Sequence, residues 1–195
     1  MEHQSRETQT GAFHAVKFYG SQESLCRLVA EFLAEGLITQ QPALIIATPE
    51  HRTGVVNELR TRHFDIDGLV KSGDLVVLDA AELLASFMVD GMPDEHRFMR
   101  EMLGMIEQVC RGRDCVLRVY GEMVDVLWKE QRDVAAIRLE MLWNKLAASK
   151  KFSLLCGYAM GSFYKDAQLK DIHRQHTHVF SGDGLDEDTH SATVQ

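Results

Sequence analysis

No apolar run in this 195-residue chain approaches the ~18–20 residues that a membrane-spanning helix needs, so no membrane partner is expected. The opening MEHQSRETQTG is polar and lacks the apolar stretch of a secretory signal. Positive charge is thin as well. Lys and Arg total 21 against 29 Asp and Glu, for a net charge of -8, and the basic residues cluster only as Arg111 with Arg113 and Lys150 with Lys151. A protein that grips a phosphate backbone shows a basic face, so nucleic acid is not an expected partner. Cysteine is sparse. Cys26, Cys110, Cys115 and Cys156 lie in apolar or helical stretches rather than in a loop framework, which reads as buried free thiols in a cytoplasmic protein. Internal repeats and dividing linkers are missing too, so the chain reads as one domain.

What is present fits that domain. Hydrophobic residues make up 45% of the chain, enough for a full core. The domain is expected over residues 13–180, with a disordered leader over 1–12 and an acidic disordered tail over 181–195 that carries Asp183, Asp186, Glu187 and Asp188. Strands are expected at His14–Tyr19, Ala43–Ala47, Leu75–Asp79, Cys115–Tyr120 and Phe152–Tyr158. Each is short and apolar on both faces. Helical sequence separates them. Leu25, Leu28, Val29, Phe32 and Leu33 form one buried stripe at helical spacing, with Ser21 as N-cap, and Pro49 suits the first position of the next helix. Further helices are expected over about 81–89, 94–111 and 162–175, the first two separated by Asp90-Gly91-Met92-Pro93. Strands alternating with helices imply an α/β fold: three layers, a mostly parallel sheet of about five or more strands, and helices on both faces.

The stretch HAVKFYGSQESL, His14 to Leu25, stands where a nucleotide-binding protein places its phosphate loop, between a strand and a helix. The chemistry of that loop is missing. Gly20 is its single glycine, and no lysine or Mg²⁺-binding hydroxyl follows in the required spacing. Ligands of such sheets bind at the carboxyl ends of the strands, where Tyr19, Glu50, Glu122 and Tyr158 are expected to converge on one crevice. Two carboxylates and two phenols there would hold a small polar head group, with apolar strand residues against its hydrocarbon part. The plainer reading of Glu50 and Glu122 is that they favour helix N-termini and stay solvated.

Five segments in order, HAVKFY, ALIIATPEHR, LVVLDAAELLASFMVDGMPD, VYGEMVDVLW and FSLLCGYAMGSF, resemble the MEDS domain, the sensory module named after the methanogen and methylotroph regulator DcmR. The resemblance runs from about His14 to Val179. It implies a degenerate relative of KaiC/RecA-like ATPases that has lost the phosphate loop, and a signalling domain that senses small hydrocarbon derivatives. Relatives often carry a histidine kinase or a DNA-binding region. Neither is expected here, since the roughly fifteen residues after Phe180 are too few to fold into one. The expected partners are therefore a small organic ligand and either a separate kinase or transcription regulator or a second copy of the chain.

Other residues are weighed against plainer roles. His14 opens the first strand at the end far from Tyr19, where it would donate to a ligand or cap a carbonyl. Cys156 has no basic neighbour in sequence to activate it and reads as buried and inert. His173, His176 and His178 offer metal-ligand spacing without a fourth ligand, and read as a solvated or locally packed cluster. The methionines 88, 92, 99, 102 and 105 read as core filler, or as a lid or docking surface around the 90–93 break. No Ser-His-Asp or Cys-His set can be assembled, so no catalytic residue, cofactor or metal is expected. Two competing readings are a residual nucleotide hydrolase using Glu122 and an interaction adaptor with a vestigial pocket.

Overall fold

The five apolar runs form the parallel strands that their two-sided hydrophobicity requires. In the computed structural model, which describes residues 13–160, 172 and 174–179, these are β1 (His14–Tyr19), β2 (Ala43–Ala47), β3 (Leu75–Asp79), β6 (Leu117–Gly121) and β7 (Phe152–Ala159). A two-residue strand, β8 (His178–Val179), joins them, and the six-stranded sheet runs β3-β2-β6-β7-β1-β8 with every pair parallel. The order places β1, β7 and β6 at the centre, so ladder partners surround the residues that matter below.

Seven helices cover the two faces among the described residues. On one side lie α1 (Gln22–Ile38), α2 (Pro49–Thr61) and α3 (Ile66–Ser72). On the other lie α4 (Ala80–Phe87), α5 (Glu95–Cys110), α6 (Met123–Lys129) and α7 (Asp133–Ala147). Side chains alternate across a strand, and the sheet sorts accordingly. Val16, Leu44, Ile46, Val119, Leu154, Cys156 and Tyr158 join the α4–α7 core, while Ala15, Tyr19, Ile45, Tyr120 and Leu155 join the α1–α3 core. Burying one such Leu, Ile or Val stabilises the domain by about 1.5–3 kcal/mol.

The expected caps form. Ser21 accepts from the Ser24 amide, Pro49 opens α2, and α3 closes at Gly73 in the left-handed region with φ 73°. Three expectations change. Asp90 and Gly91, with φ of 48° and 81°, make a tight turn between strands β4 (Met88–Val89) and β5 (Met92–Pro93) rather than a plain helix break. Two left-handed residues with glycine second match the twist of a two-residue hairpin. Cys110 and Cys115 are joined in a disulfide instead of remaining free thiols. Arg111 and Gly112, both at positive φ, reverse the chain and bring the two Cα atoms to 6.3 Å. The fourth expected strand begins at Leu117 because the residues before it are taken up by this reversal. Cys26 and Cys156 remain free and buried. Residues 1–12 and 181–195, along with most of the expected last helix, lie outside the described residues.

Candidate functional site

Glu122 follows directly on β6, and its amide extends the ladder by donating to Ile46 O at 2.9 Å. Side-chain alternation then points it to the α1–α3 side, where it is 1% exposed. One carboxylate oxygen accepts from the Thr48 amide at 2.8 Å and the Thr48 hydroxyl at 3.1 Å. The other accepts from Tyr120 OH and from His51 Nδ1, each at 2.5 Å. Thr48 is the N-cap residue of α2 but makes no side-chain cap, because its hydroxyl is committed to Glu122. The carboxylate thus does from another strand what a capping side chain does locally, meeting an amide left unpaired at a helix start.

The ionisation of this cluster follows from its partners. Burial works to raise the Glu122 pKa, but hydrogen bonds from His51, Tyr120 and the Thr48 amide, together with the attraction of a charged His51, outweigh it and leave the group below its ordinary value. Tyr120 is pushed well above a normal phenol, by burial first and by the Glu122 charge second, so it stays a donor. With Nδ1 of His51 donating to a carboxylate, its other ring nitrogen, Nε2, is buried and has no hydrogen-bond partner among the described residues. Buried polar atoms without partners are uncommon and costly. The Tyr19 ring meets the His51 ring edge-on at 5.5 Å, and the Tyr19 hydroxyl donates to Asp125 at 3.1 Å. Asp125 also accepts from the Ala159 amide and pairs with Lys129. Gly157 makes room for this arrangement, since a Cβ there would sit 2.7 Å from the Tyr120 hydroxyl.

Of the residues singled out by sequence, Tyr19 and Glu122 do meet at the strand ends, linked through His51. Glu50 is exposed in the first turn of α2, as the plainer reading had it. Tyr158 and His14 do not join Tyr19 and Glu122. Strand alternation turns both to the α7 side, where the Tyr158 hydroxyl donates to Glu140 at 2.7 Å and His14 Nε2 lies 3.2 Å from the same carboxylate. His51, Thr48, Tyr120 and Asp125 escaped the sequence reading. His51 had a signal, because the third residue of a helix that opens at a strand end turns back toward the sheet.

The described part of the histidine run is part packed and part solvated, within what the sequence reading allowed. The His176 side chain is fully buried 3.4 Å from Glu140, whereas His178 is exposed and His173 lies outside the described residues. The methionine-rich region divides. Met102 is core, while Met92 borders an apolar groove of about 380 Å³ with Trp128, Val134, Ile137 and Met141. Among the described residues no helix is long and apolar enough to cross a membrane.

No curated protein matches the chain. A family model described as "MEthanogen/methylotroph, DcmR Sensory domain" matches residues 13–177, and the chain therefore belongs to the MEDS family of sensory domains.

Proposed function

We propose that this domain is a non-catalytic sensor of bacterial signal transduction. It binds a small organic ligand, a hydrocarbon derivative with a polar head, beside Tyr19, His51 and Glu122. The observation that carries the reading is the unpartnered, buried His51 Nε2 at the strand ends. With Nδ1 bound to Glu122, a neutral His51 offers Nε2 as an acceptor for a ligand hydroxyl, and a protonated one offers a donor for a carbonyl or carboxylate. Tyr19 supplies a second polar atom and an apolar ring. The Glu122 carboxylate, already met by four donors, acts as the anchor that orients His51.

The residual-hydrolase alternative has less support. A general base needs reach to a water, and Glu122 is buried behind its own donors. Between β1 and α1 lie only Gly20 and Ser21, too few residues to wrap a triphosphate. The sensor reading assigns the domain to the cytoplasm, a compartment in which a disulfide such as Cys110–Cys115 is uncommon. Its output would pass to a separate kinase or regulator, provided that the ligand binds one conformation better than another.

The test is a thermal-shift screen and calorimetric titration of the chain against short alcohols, halomethanes and short carboxylic acids, with ATP and Mg²⁺ in parallel. A ligand from the organic panel should raise Tm, and His51→Ala and Glu122→Gln should abolish that response. Tight ATP binding would move the protein to the hydrolase reading. A flat response to every compound would leave an adaptor.

A further inference from the structure

On the opposite face of the sheet the side chains of His14, Glu140, Cys156 and His176 are buried together, with one ligand-type atom from each lying within 4.8 Å of every other. We propose that these four residues form a binding site for one divalent transition-metal ion of the zinc class, held by Nε2 of both histidines, the Cys156 thiolate and a Glu140 oxygen.

The tautomers carry the argument. The Asn144 amide is oriented by donating through Nδ2 to Gln175 O and Oε1, which leaves Oδ1 to accept from His14 Nδ1 at 2.8 Å. His176 Nδ1 in turn donates to Ile172 O at 2.7 Å. Both imidazoles therefore carry their fixed proton on Nδ1 and turn Nε2 toward the same carboxylate. A neutral Nε2 lone pair facing an anion is repulsive; the Cys156 thiol can donate to that of His14 at 3.3 Å, whereas His176 Nε2 needs a cation, either its own second proton or a metal. Among the described residues His176 Nε2, 3.4 Å from Glu140 Oε1, has no well-aligned hydrogen-bond partner.

Distances and charge agree with a metal. Metal–ligand bonds of about 2.0–2.3 Å in a tetrahedron set its donors roughly 3.3–3.8 Å apart. Here His14 Nε2, Cys156 Sγ and Glu140 Oε2 stand 3.2, 3.3 and 3.7 Å apart, while His176 Nε2 lies 3.4 Å from the other carboxylate oxygen, Oε1, and within 4.8 Å of the remaining ligand atoms, so it closes the tetrahedron by a small shift. A divalent ion against one thiolate and one carboxylate is neutral overall, which suits a fully buried site. Two nitrogens, one sulfur and one oxygen form a borderline-soft set that suits zinc-class ions over Mg²⁺ or Ca²⁺. Asn144, the Ile172 carbonyl and the Tyr158 hydroxyl are the outer partners that such ligands usually have. Binding sends the Cys156 thiol proton, and any proton on an Nε2 atom, to solvent.

The site joins distant parts of the chain. His14 and Cys156 lie on neighbouring strands, Glu140 and Asn144 lie one turn apart on α7, and His176 precedes β8. The ion would therefore fasten the β8 segment to the face of α7. Chelator-stripped full-length chain titrated with Co²⁺, then competed with Zn²⁺, tests this. The proposal expects one ion per chain, a thiolate-to-cobalt charge-transfer band that Cys156→Ser removes, and slower hydrogen exchange at the Thr177 amide once metal is loaded. Asn144→Ala should weaken binding about 10–100-fold, and His176→Ala by at least as much, whereas the exposed His178→Ala should bind as the parent does. Should Cys156→Ser fail to fold, His176→Ala and Asn144→Ala decide. No stoichiometric uptake, or affinity unchanged by both His176→Ala and Asn144→Ala, overturns the site. Since His51 lies across the sheet, that failure would leave the sensor reading intact.

Discussion

Two buried carboxylates sit on opposite faces of one sheet and solve the same problem differently. Glu122 is met by an amide, two hydroxyls and an imidazole Nδ1, all built to donate. Glu140 is met by one hydroxyl, a thiol and two imidazole Nε2 atoms whose ring partners have already claimed Nδ1. The first carboxylate is closed by hydrogen-bond donors on both oxygens, and among the described residues the loose end of its cluster is His51 Nε2. The second is complete only with added positive charge. A carboxylate closed by fixed donors makes a scaffold that can present a neighbouring group to an organic ligand. A carboxylate faced by two imidazole Nε2 atoms as well as its donors has the makings of a cation site.

Breaking Glu140 should therefore cost the most. Glu140→Ala leaves whichever cation faces it without a counter-charge in the core, and urea denaturation should show a loss of about 3–5 kcal/mol. Glu122→Gln keeps the shape but places an amide group among donors, so a smaller loss of about 3 kcal/mol is expected in the same measurement. Its pH dependence sharpens the contrast. The folded pKa of Glu122 lies below the ordinary 4.5, so the network stabilises the domain fully above that value and less as pH falls through the folded value. Glu122→Gln should remove that part of the acid-side decline in stability. Gly157→Ala should push the Tyr120 hydroxyl off Glu122 and cost about 2 kcal/mol through overpacking, with the ligand response falling alongside. Thr48→Val removes one hydroxyl but keeps the amide bond to Glu122, so about 1 kcal/mol is expected. A Thr48→Val loss as large as that of Glu122→Gln would mean that the donors do not share the load as described.

The sequence showed the sheet because doubly apolar runs and turn residues are local signals. It placed Tyr19 and Glu122 at strand ends because those ends follow from the sheet. It missed the separation of Tyr158 and His14 from them, although period-two alternation along β1 and β7 held that information. Once Tyr19 is assigned to one face, His14 belongs to the other, as does Val16. Glu140 was also legible in principle. It falls on the stripe of Ala136, Leu139 and Trp143, an acidic residue on an otherwise apolar face. His176 was not legible, because its role depends on β8 adding to the sheet edge beside β1, and a two-residue strand has no periodicity to read. The Cys110–Cys115 disulfide depends on two positive-φ residues that only the folded backbone shows.

The difference between the two faces can be read in one experiment, anomalous scattering at the zinc edge from crystals of the Zn²⁺-loaded chain. The account predicts a single strong peak bounded by His14, Glu140, Cys156 and His176, with none beside Glu122. Zinc-soaked crystals with no peak among those four residues, or with one at Glu122 instead, would contradict it.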